Sequence, residues 1–358
     1  MSENNSNKIL NEKAISTQAI NTLNDFSSKQ ILSAKNISIN SNNEQPGIIE
    51  VYEDNFIQEI KNISSLLEEY NYIGMDTEYP GTVYCVKNMT KDFYFRTLKM
   101  NVDSLKIIQL GITLTNSKGE FPKNYKYHTW QFNFEFDKNT DKITQSSLNL
   151  LEQCGIDFNK LKKKGIKHKV FAEYFMISGL VLNPDIRWIS FHGCYDFGYL
   201  LRLLINKKLP DTEKEFMDLL DTYFINYYDI KTMVKRKENL QGGLNKLAQS
   251  LEVLREGKTH QAGSDSVVTI DVYFKLIKIG FLEEDKILKE KNLLFGVANE
   301  EDNKETINYT QFGNLVYQNN SSNNLLYVPY VNNYYYYLMN NNGTQQNNNN
   351  PTQMPSFI

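Results

Sequence analysis

Short apolar runs that end in turn residues recur through the middle of the chain and predict the strands of a sheet. The first is YIGMDTE, residues 72–78. Segments 104–116 and 128–136 follow it with a short connection between them, so we expect them to form an antiparallel pair beside the first strand. Further strands are predicted over 187–193 and over a short run that ends near Asp229.

Apolar residues at helical spacing fill most of the remaining chain. They predict helices over most of 48–71; over most of 145–182, with breaks near Gly155 and Gly165; and over 197–206, the start of 215–230, 243–253 and 264–281. A strand meander followed by alternating helices and strands indicates the α/β class, with a mixed β-sheet flanked by helices on both faces.

Two segments of different composition flank this pattern. Residues 1–46 are rich in Asn, Ser and Lys, which predicts a disordered polar N-terminal arm. Residues 297–358 are dominated by Asn, Tyr and Gln, a low-complexity composition that favours self-association over a packed core. The folded unit is therefore predicted over 47–296, a size typical of one domain.

Composition and charge narrow the classes of function. The chain has 358 residues, 41% of them hydrophobic and 23% charged, and its formal net charge is -3, so no global basic field attracts nucleic acid. Cys85, Cys154 and Cys194 lack C-x-x-C spacing, which predicts neither a zinc site nor disulfides and favours a reducing compartment. The N-terminal residues lack a signal-peptide pattern and no apolar run reaches membrane-spanning length, so we expect no membrane association.

The first strand ends in two carboxylates. Asp76 and Glu78 stand at i and i+2, so both side chains point to the same face of the sheet. Carboxylates this close repel, and one takes up a proton unless a cation lies between them. Asp196 falls at the start of a predicted helix, where its charge is favourable. Taken alone, these are also the features of a solvated strand end and of an ordinary helix start.

A third segment completes the set. Ser264 is the predicted N-cap of the last long helix, with Asp265 in the first turn and His260 on the loop before it. Strand ends and helix starts of an α/β domain converge at one edge of the sheet, so separate segments can supply one pocket. Carboxylates without cysteine suit Mg²⁺ or Mn²⁺, and a pair of such ions serves phosphoryl chemistry. His260 is then the base that titrates near neutral pH.

Three segments are informative together: MDTEYPG, SGLVLNPDIRWISFHGCYDFGYLLRLL and GGLNKLAQSLEVLREGKTHQAGSDS. With others over about 47–296, in the same order and with similar spacing, they resemble the CCR-associated-factor deadenylases. These are the nuclease subunits of the CCR–NOT complex and are DEDDh exonucleases with a ribonuclease-H-like fold. The resemblance implies that the family's metal-binding acids fall on Asp76, Glu78, Asp196 and Asp265, its general base falls on His260, and its cofactors are two divalent cations, Mg²⁺ or Mn²⁺.

The resemblance also implies an activity and partners. The activity is 3′→5′ removal of adenosines from mRNA poly(A) tails with release of 5′-AMP. The expected partners are poly(A) RNA, a NOT scaffold subunit and a second deadenylase, and the expected location is the cytoplasm and the nucleus. Two alternatives stay open: a DEDDh exonuclease that acts on other single-stranded RNA or on DNA, and a scaffold subunit with weak catalysis.

The chain departs from the family pattern at two places. Gly193-Cys194 replaces the usual Ser-Gly, and we expect the larger Cys194 beside the metal site. Segment 82–100 matches the family in length but poorly in sequence, and is expected to be a loop region next to the active-site strand. Tyr79, Phe197 and Tyr199 flank the acids, where they either stack on bases or pack in the core.

Overall fold

The computed structural model describes residues 47–86, 92–237, 240–255 and 257–297. The arm predicted over 1–46 and all but the first residue of the tail predicted over 297–358 lie outside the described residues. Within them the chain forms six strands, β1 to β6: Ile48–Val51, Tyr72–Glu78, Gln109–Thr115, Thr129–Asn133, Arg187–Ser190 and Tyr227–Asp229.

Eleven α-helices, α1 to α11, lie in the same described ranges: Phe56–Leu66, Phe93–Ser104, Gln145–Gln153, Phe158–Lys164, His168–Met176, Cys194–Ile205, Glu213–Tyr223, Ile230–Val234, Leu244–Ser250, Ala262–Lys278 and Glu284–Lys289. None of these helices has the length and apolar character needed to cross a membrane. The predicted breaks near Gly155 and Gly165 separate α3, α4 and α5.

The strands form one mixed sheet in the order β1-β4-β3-β2-β5-β6. Strand β3 runs antiparallel to β2 and β4, and the other neighbours are parallel. The expected antiparallel pair beside the first strand is therefore present. In its register Asp76 lies opposite Gly111, which lies opposite Gln131.

The start of the predicted helix over 48–71 is wrong. Ile48–Val51 is an edge strand, parallel to β4, and α1 begins only at Phe56. Between them a turn forms in which the Tyr52 N–H donates to Asn55 Oδ1 over 2.8 Å. The short apolar run of β1 merges with the amphipathic pattern of α1, so periodicity alone did not separate them.

Helices cover both faces of the sheet, as predicted. Helix α10 packs along β2 and β3 and also contacts α9. On the opposite face α6 packs against β2 and contacts α2 and α5. The core is divided in the same way, because successive strand residues point to opposite faces. Ile189 belongs to the same part of the core as Val268 of α10, and Trp188 to the same part as Leu200 of α6.

Two glycines in the sheet allow α10 to lie directly on it. A Cβ on Gly111 would stand 1.9 Å from the carbonyl oxygen of Ala262, and a Cβ on Gly74 would stand 2.5 Å from that of Ser266. Because both obstacles are backbone atoms of α10, no small side-chain movement makes room for them. The first turns of α10 are thus fixed against β2 and β3, beside the carboxylates of β2.

Candidate active site

The carboxylates of β2 face α10. Gly74 contacts the backbone of that helix, and Asp76 and Glu78 follow it at intervals of two, so all three share one face of the strand. Thr77 points to the opposite face, toward α6. The strand end therefore presents two acids to one helix and one hydroxyl to another.

Asp196 reaches the same strand end from α6. It lies in the first turn of that helix, is buried, and its Oδ1 accepts a hydrogen bond from Thr77 Oγ1 at 2.5 Å. The turn before α6 is fixed by Asp229, whose carboxylate accepts the backbone N–H groups of His192 at 2.7 Å and Gly193 at 3.2 Å. Asp229 is fully buried and was not among the predicted site residues.

Asp265 and His260 come from the start of α10. The predicted N-cap at Ser264 is wrong, because the helix begins at Ala262 with Gln261 at the cap position. His260 lies on the preceding loop, as expected, with a left-handed φ of 57°. Its backbone N–H donates to Oδ2 of Asp265 over 2.9 Å, so the loop is tied to the acid.

Side-chain amides of the sheet take the place of a conventional cap on α10. Gln131 Oε1 accepts the Gly263 N–H at 2.8 Å, and Gln109 Oε1 accepts that of Ala262 at 3.4 Å. Glu50 orients Gln131 by accepting its Nε2 at 2.7 Å. The first N–H groups of a helix have no partner within the helix and need other acceptors. Because the sheet amides supply these acceptors at Ala262 and Gly263, the helix starts two residues before Ser264.

The five predicted residues line one open cleft. Single ligand atoms of Glu78, His260 and Asp265 all lie within 4.8 Å of one another, and Asp76 and Asp196 line the cleft beside them. Among the described residues that line this cleft, none is Lys or Arg. The structure thus brings the predicted set together, while the role of each residue stays a prediction.

Burial raises the pKa of three of the acids, and neighbouring carboxylates add to the rise at Asp76 and Glu78. Loss of water around Asp76 and Glu78 raises the pKa of both carboxyls well above the ordinary range, and the charges of Asp265 and Asp196 add to this. Burial raises the pKa of Asp196 to about 7, although the Thr77 hydrogen bond opposes the rise. A set of oxygen donors that is unfavourable as free anions fits a hard divalent cation, which would remove the repulsion.

The aromatic residues near the acids differ in exposure. Phe197 and Tyr199 are buried in the core, so they present no face to a base. Tyr79 lines the cleft and stacks on Tyr195, with ring centroids 5.3 Å apart and planes 12° apart. Its ring also stacks on Tyr199, with centroids 5.1 Å apart. Of the three candidates for base stacking, only Tyr79 lines the cleft, and its contact with a base stays a prediction.

One of the two family departures differs from expectation. The Cys194 side chain is fully buried in the first turn of α6, which also carries Asp196, and its Sγ lies 3.3 Å from the Tyr94 hydroxyl. It is not among the described residues that line the cleft, so its place beside the metal site stays a prediction. The predicted loop region 82–100 contains the first part of α2, from Phe93 onward. Residues 87–91 of that segment lie outside the described residues.

A mixed sheet of this order, with acids from three segments meeting at the end of its central strand, defines a nuclease-type domain of the ribonuclease-H-like class. Residues 51–174 match the CAF1 family ribonuclease. The chain is 43% identical over 258 residues to Probable CCR4-associated factor 1 homolog 7 of Arabidopsis thaliana, covering 70% of this chain and 93% of that protein. The chain belongs to the CAF1 family of ribonucleases, which confirms the resemblance.

Other relatives agree in sequence and fold. Poly(A) ribonuclease pop2 of Schizosaccharomyces pombe is 38% identical over 277 residues, covering 76% of this chain and 78% of that protein. The S. pombe Pop2p structure in its Mg²⁺- and Mn²⁺-bound form gives a TM-score of 0.67 at 39% identity, over 70% of this chain and all of that one. Yeast CAF1 co-crystallised with the NOT1 MIF4G domain gives a TM-score of 0.61 at 28% identity, over 72% of this chain and 100% of that one.

Proposed function

We propose that this chain is a 3′→5′ poly(A)-specific exoribonuclease that shortens mRNA poly(A) tails and releases 5′-AMP as a subunit of a CCR–NOT complex. The observation that carries the proposal is the convergence of four carboxylates and His260 on one cleft of a CAF1 family chain. The name of the fission yeast relative, a poly(A) ribonuclease, supports the substrate.

Asp76, Glu78, Asp196 and Asp265 would hold two divalent cations, Mg²⁺ or Mn²⁺, as the metal-bound S. pombe Pop2p structure supports. When bound, such cations neutralise phosphate charge and lower the pKa of water, so that a nucleophile forms at neutral pH. Because the described cleft lining has no Lys or Arg, attraction for the RNA phosphates would have to come from the cations that these carboxylates hold.

His260 accepts the proton of the attacking water. Water attacks the phosphorus of the terminal phosphodiester, and the bond from phosphorus to the 3′ oxygen of the preceding nucleotide breaks. The terminal nucleotide leaves as 5′-AMP, and the freed 3′ oxygen of the shortened RNA takes up a proton from solvent to form the hydroxyl of the next terminal nucleotide. Tyr79, on the cleft wall beside the acids, stacks on a base of the entering strand.

The proposed partners are a NOT scaffold subunit and a second deadenylase. The structure of yeast CAF1 with the NOT1 MIF4G domain supports the first, and the family resemblance supports the second. Membership of such a complex is also the ground for placing the chain in the cytoplasm and the nucleus.

The test is an oligoadenylate with a 5′ fluorophore, incubated with Mg²⁺ or Mn²⁺ and analysed for length and for released AMP. Wild type shortens it stepwise, Asp76→Ala abolishes shortening, and His260→Ala slows it by about 10²–10⁴-fold. Asp218→Ala, an exposed acid paired with Lys214 at 2.6 Å on α7, serves as the matched control. Equal activity of wild type and Asp76→Ala would refute the assignment.

Substrate class is tested in parallel on poly(A), mixed-sequence RNA and single-stranded DNA. Faster metal-dependent release from poly(A) than from either of the others supports a deadenylase. Equal rates on all three would make the chain a general DEDDh exonuclease, and absence of metal-dependent nucleotide release from wild type would leave only the scaffold alternative. In each assay, loss of nucleotide release in Asp265→Ala shows that the activity belongs to this site.

A further inference from the structure

A guanidinium lies against the acid cluster. Nη1 of Arg255 stands 2.6 Å from Oδ1 of Asp265, and the two side chains are only 17% and 11% exposed. Arg255 was not among the predicted site residues. A charged pair this short and this protected from water has a defined geometry, unlike an exposed surface ion pair.

Arg255 is anchored on two helices. Nη1 also donates to Ser264 Oγ on α10 at 3.1 Å, and Nη2 donates to Asn245 Oδ1 on α9. The planar guanidinium holds several partners at once, which a lysine ammonium on a flexible stem does not reproduce. The side chain therefore links α9 to the start of α10 at the edge of the cleft.

Both oxygens of Asp265 are oriented by these contacts. Oδ1 takes the Arg255 bond and Oδ2 takes the backbone N–H of His260. An ionised carboxylate offers about four lone-pair sites, so each oxygen keeps capacity for a cation. Arg255 and the loop that carries His260 thus meet on the same carboxylate.

We propose that Arg255 is a positioning residue: its guanidinium fixes the Asp265 carboxylate in the orientation that binds a divalent cation. The proposal deepens the proposed function, since it concerns the metal centre of that nuclease. Arg255 affects the affinity of the site for a cation in two opposite ways. Its positive charge repels an added cation, whereas its hydrogen bonds orient a ligand, and loss of such an outer contact weakens metal affinity by about 10–100-fold. We infer that orientation dominates, because Arg255 is held by neutral partners as well as by Asp265.

The experiment measures Mn²⁺ affinity of the full chain by electron paramagnetic resonance of free Mn²⁺, without RNA. The variants are Arg255→Gln and Arg255→Lys. Arg187→Gln is the matched control, because it removes one positive charge at the start of β5, the end opposite the acids. We expect about 10–100-fold weaker binding for Arg255→Gln, partial recovery for Arg255→Lys, and wild-type affinity for Arg187→Gln.

Equal Mn²⁺ binding by Arg255→Gln would overturn the proposal, since orientation would then not outweigh charge repulsion. Tighter binding would overturn it as well, since charge repulsion would then dominate. If Arg255→Gln does not fold, as judged by circular dichroism, equal or tighter Mn²⁺ binding by Arg255→Lys would overturn the proposal instead. Wild type that binds Mn²⁺ but shortens no oligoadenylate contradicts the proposed function and not this inference. Unchanged Mn²⁺ binding in both Arg255 variants, with an active wild type, contradicts only this inference.

Discussion

The contact between Gly111 and α10 leads to a sharp prediction about the site. In Gly111→Ala the new Cβ would stand 1.9 Å from the Ala262 carbonyl oxygen, 2.2 Å from its carbon and 2.6 Å from the Gly263 nitrogen. All three obstacles belong to the backbone of the first turn of α10. The helix start must therefore withdraw from the sheet, and it carries Asp265 away from Asp76.

The size of the effect follows from the overlap. Non-bonded carbon and oxygen atoms approach to about 3.3 Å, so the first turn has to move by more than about 1 Å. A displacement of about 1 Å in a catalytic arrangement costs on the order of 10²-fold in rate. Overpacking a close-packed interior costs roughly 1–3 kcal/mol of stability, which is less than the total stability of an ordinary domain. The variant should fold and yet lose most of its activity.

The assay compares thermal unfolding, Mn²⁺ affinity and oligoadenylate shortening. Gly198→Ala is the control, because a Cβ there meets only methyl groups of Leu98 and Val102 at 3.3 Å, on the opposite face of the sheet. The control should keep wild-type metal affinity and rate. A folded Gly111→Ala with wild-type affinity and rate would refute the reasoning that this contact sets the position of Asp265.

Two further predictions concern stability. Asp76→Asn should stabilise the metal-free protein by about 1.4 kcal/mol per unit of pKa shift that it removes. Because the raised pKa of Asp76 in the fold makes wild-type stability fall as pH rises above the ordinary 3.8, the variant's advantage in EDTA should be larger at pH 8 than at pH 5. Equal melting temperatures of variant and wild type at pH 8 would contradict this. A chain that ends after Val297 should unfold at the wild-type temperature. A chain that ends at Lys291 should unfold at a lower temperature, because it loses the buried Leu294 and Phe295, each worth roughly 1.5–3 kcal/mol of stability. Identical melting curves of the two truncated chains would contradict this prediction.

The main elements of the fold were predictable because their patterns are local. The apolar runs of β3 and β4 and the helical spacing of α10 are properties of short windows. Strand β1 was missed because its four residues are stabilised by pairing with β4, which lies far away in the sequence. Edge pairing of this kind has no signature within the segment itself.

The site was predictable as a set of residue types and less so as a structure. Acids at strand ends and helix starts carry their own signal, and the structure places all of them in one cleft. Most of the residues that hold them in place gave no signal. Asp229 and Gln131 accept backbone N–H groups from distant segments, and Glu50 orients the Gln131 side chain. Asp229 is the exception, because it ends an apolar strand much as Asp76 interrupts one, and an unexplained acid in a buried strand was the sign that could have found it.

The two departures from the family pattern meet behind the cleft. The Tyr94 hydroxyl, from the divergent segment, lies 3.3 Å from Cys194 Sγ and 3.0 Å from Nε2 of His192, which lines the cleft. The acids depend on other contacts, those of Thr77, Asp229 and Gly111. Within the described residues, the departures therefore reach the cleft wall directly at Thr82 and through His192, and they are separate from these supports of the carboxylates. Differences from relatives caused by these positions should appear in substrate fit and not in metal binding.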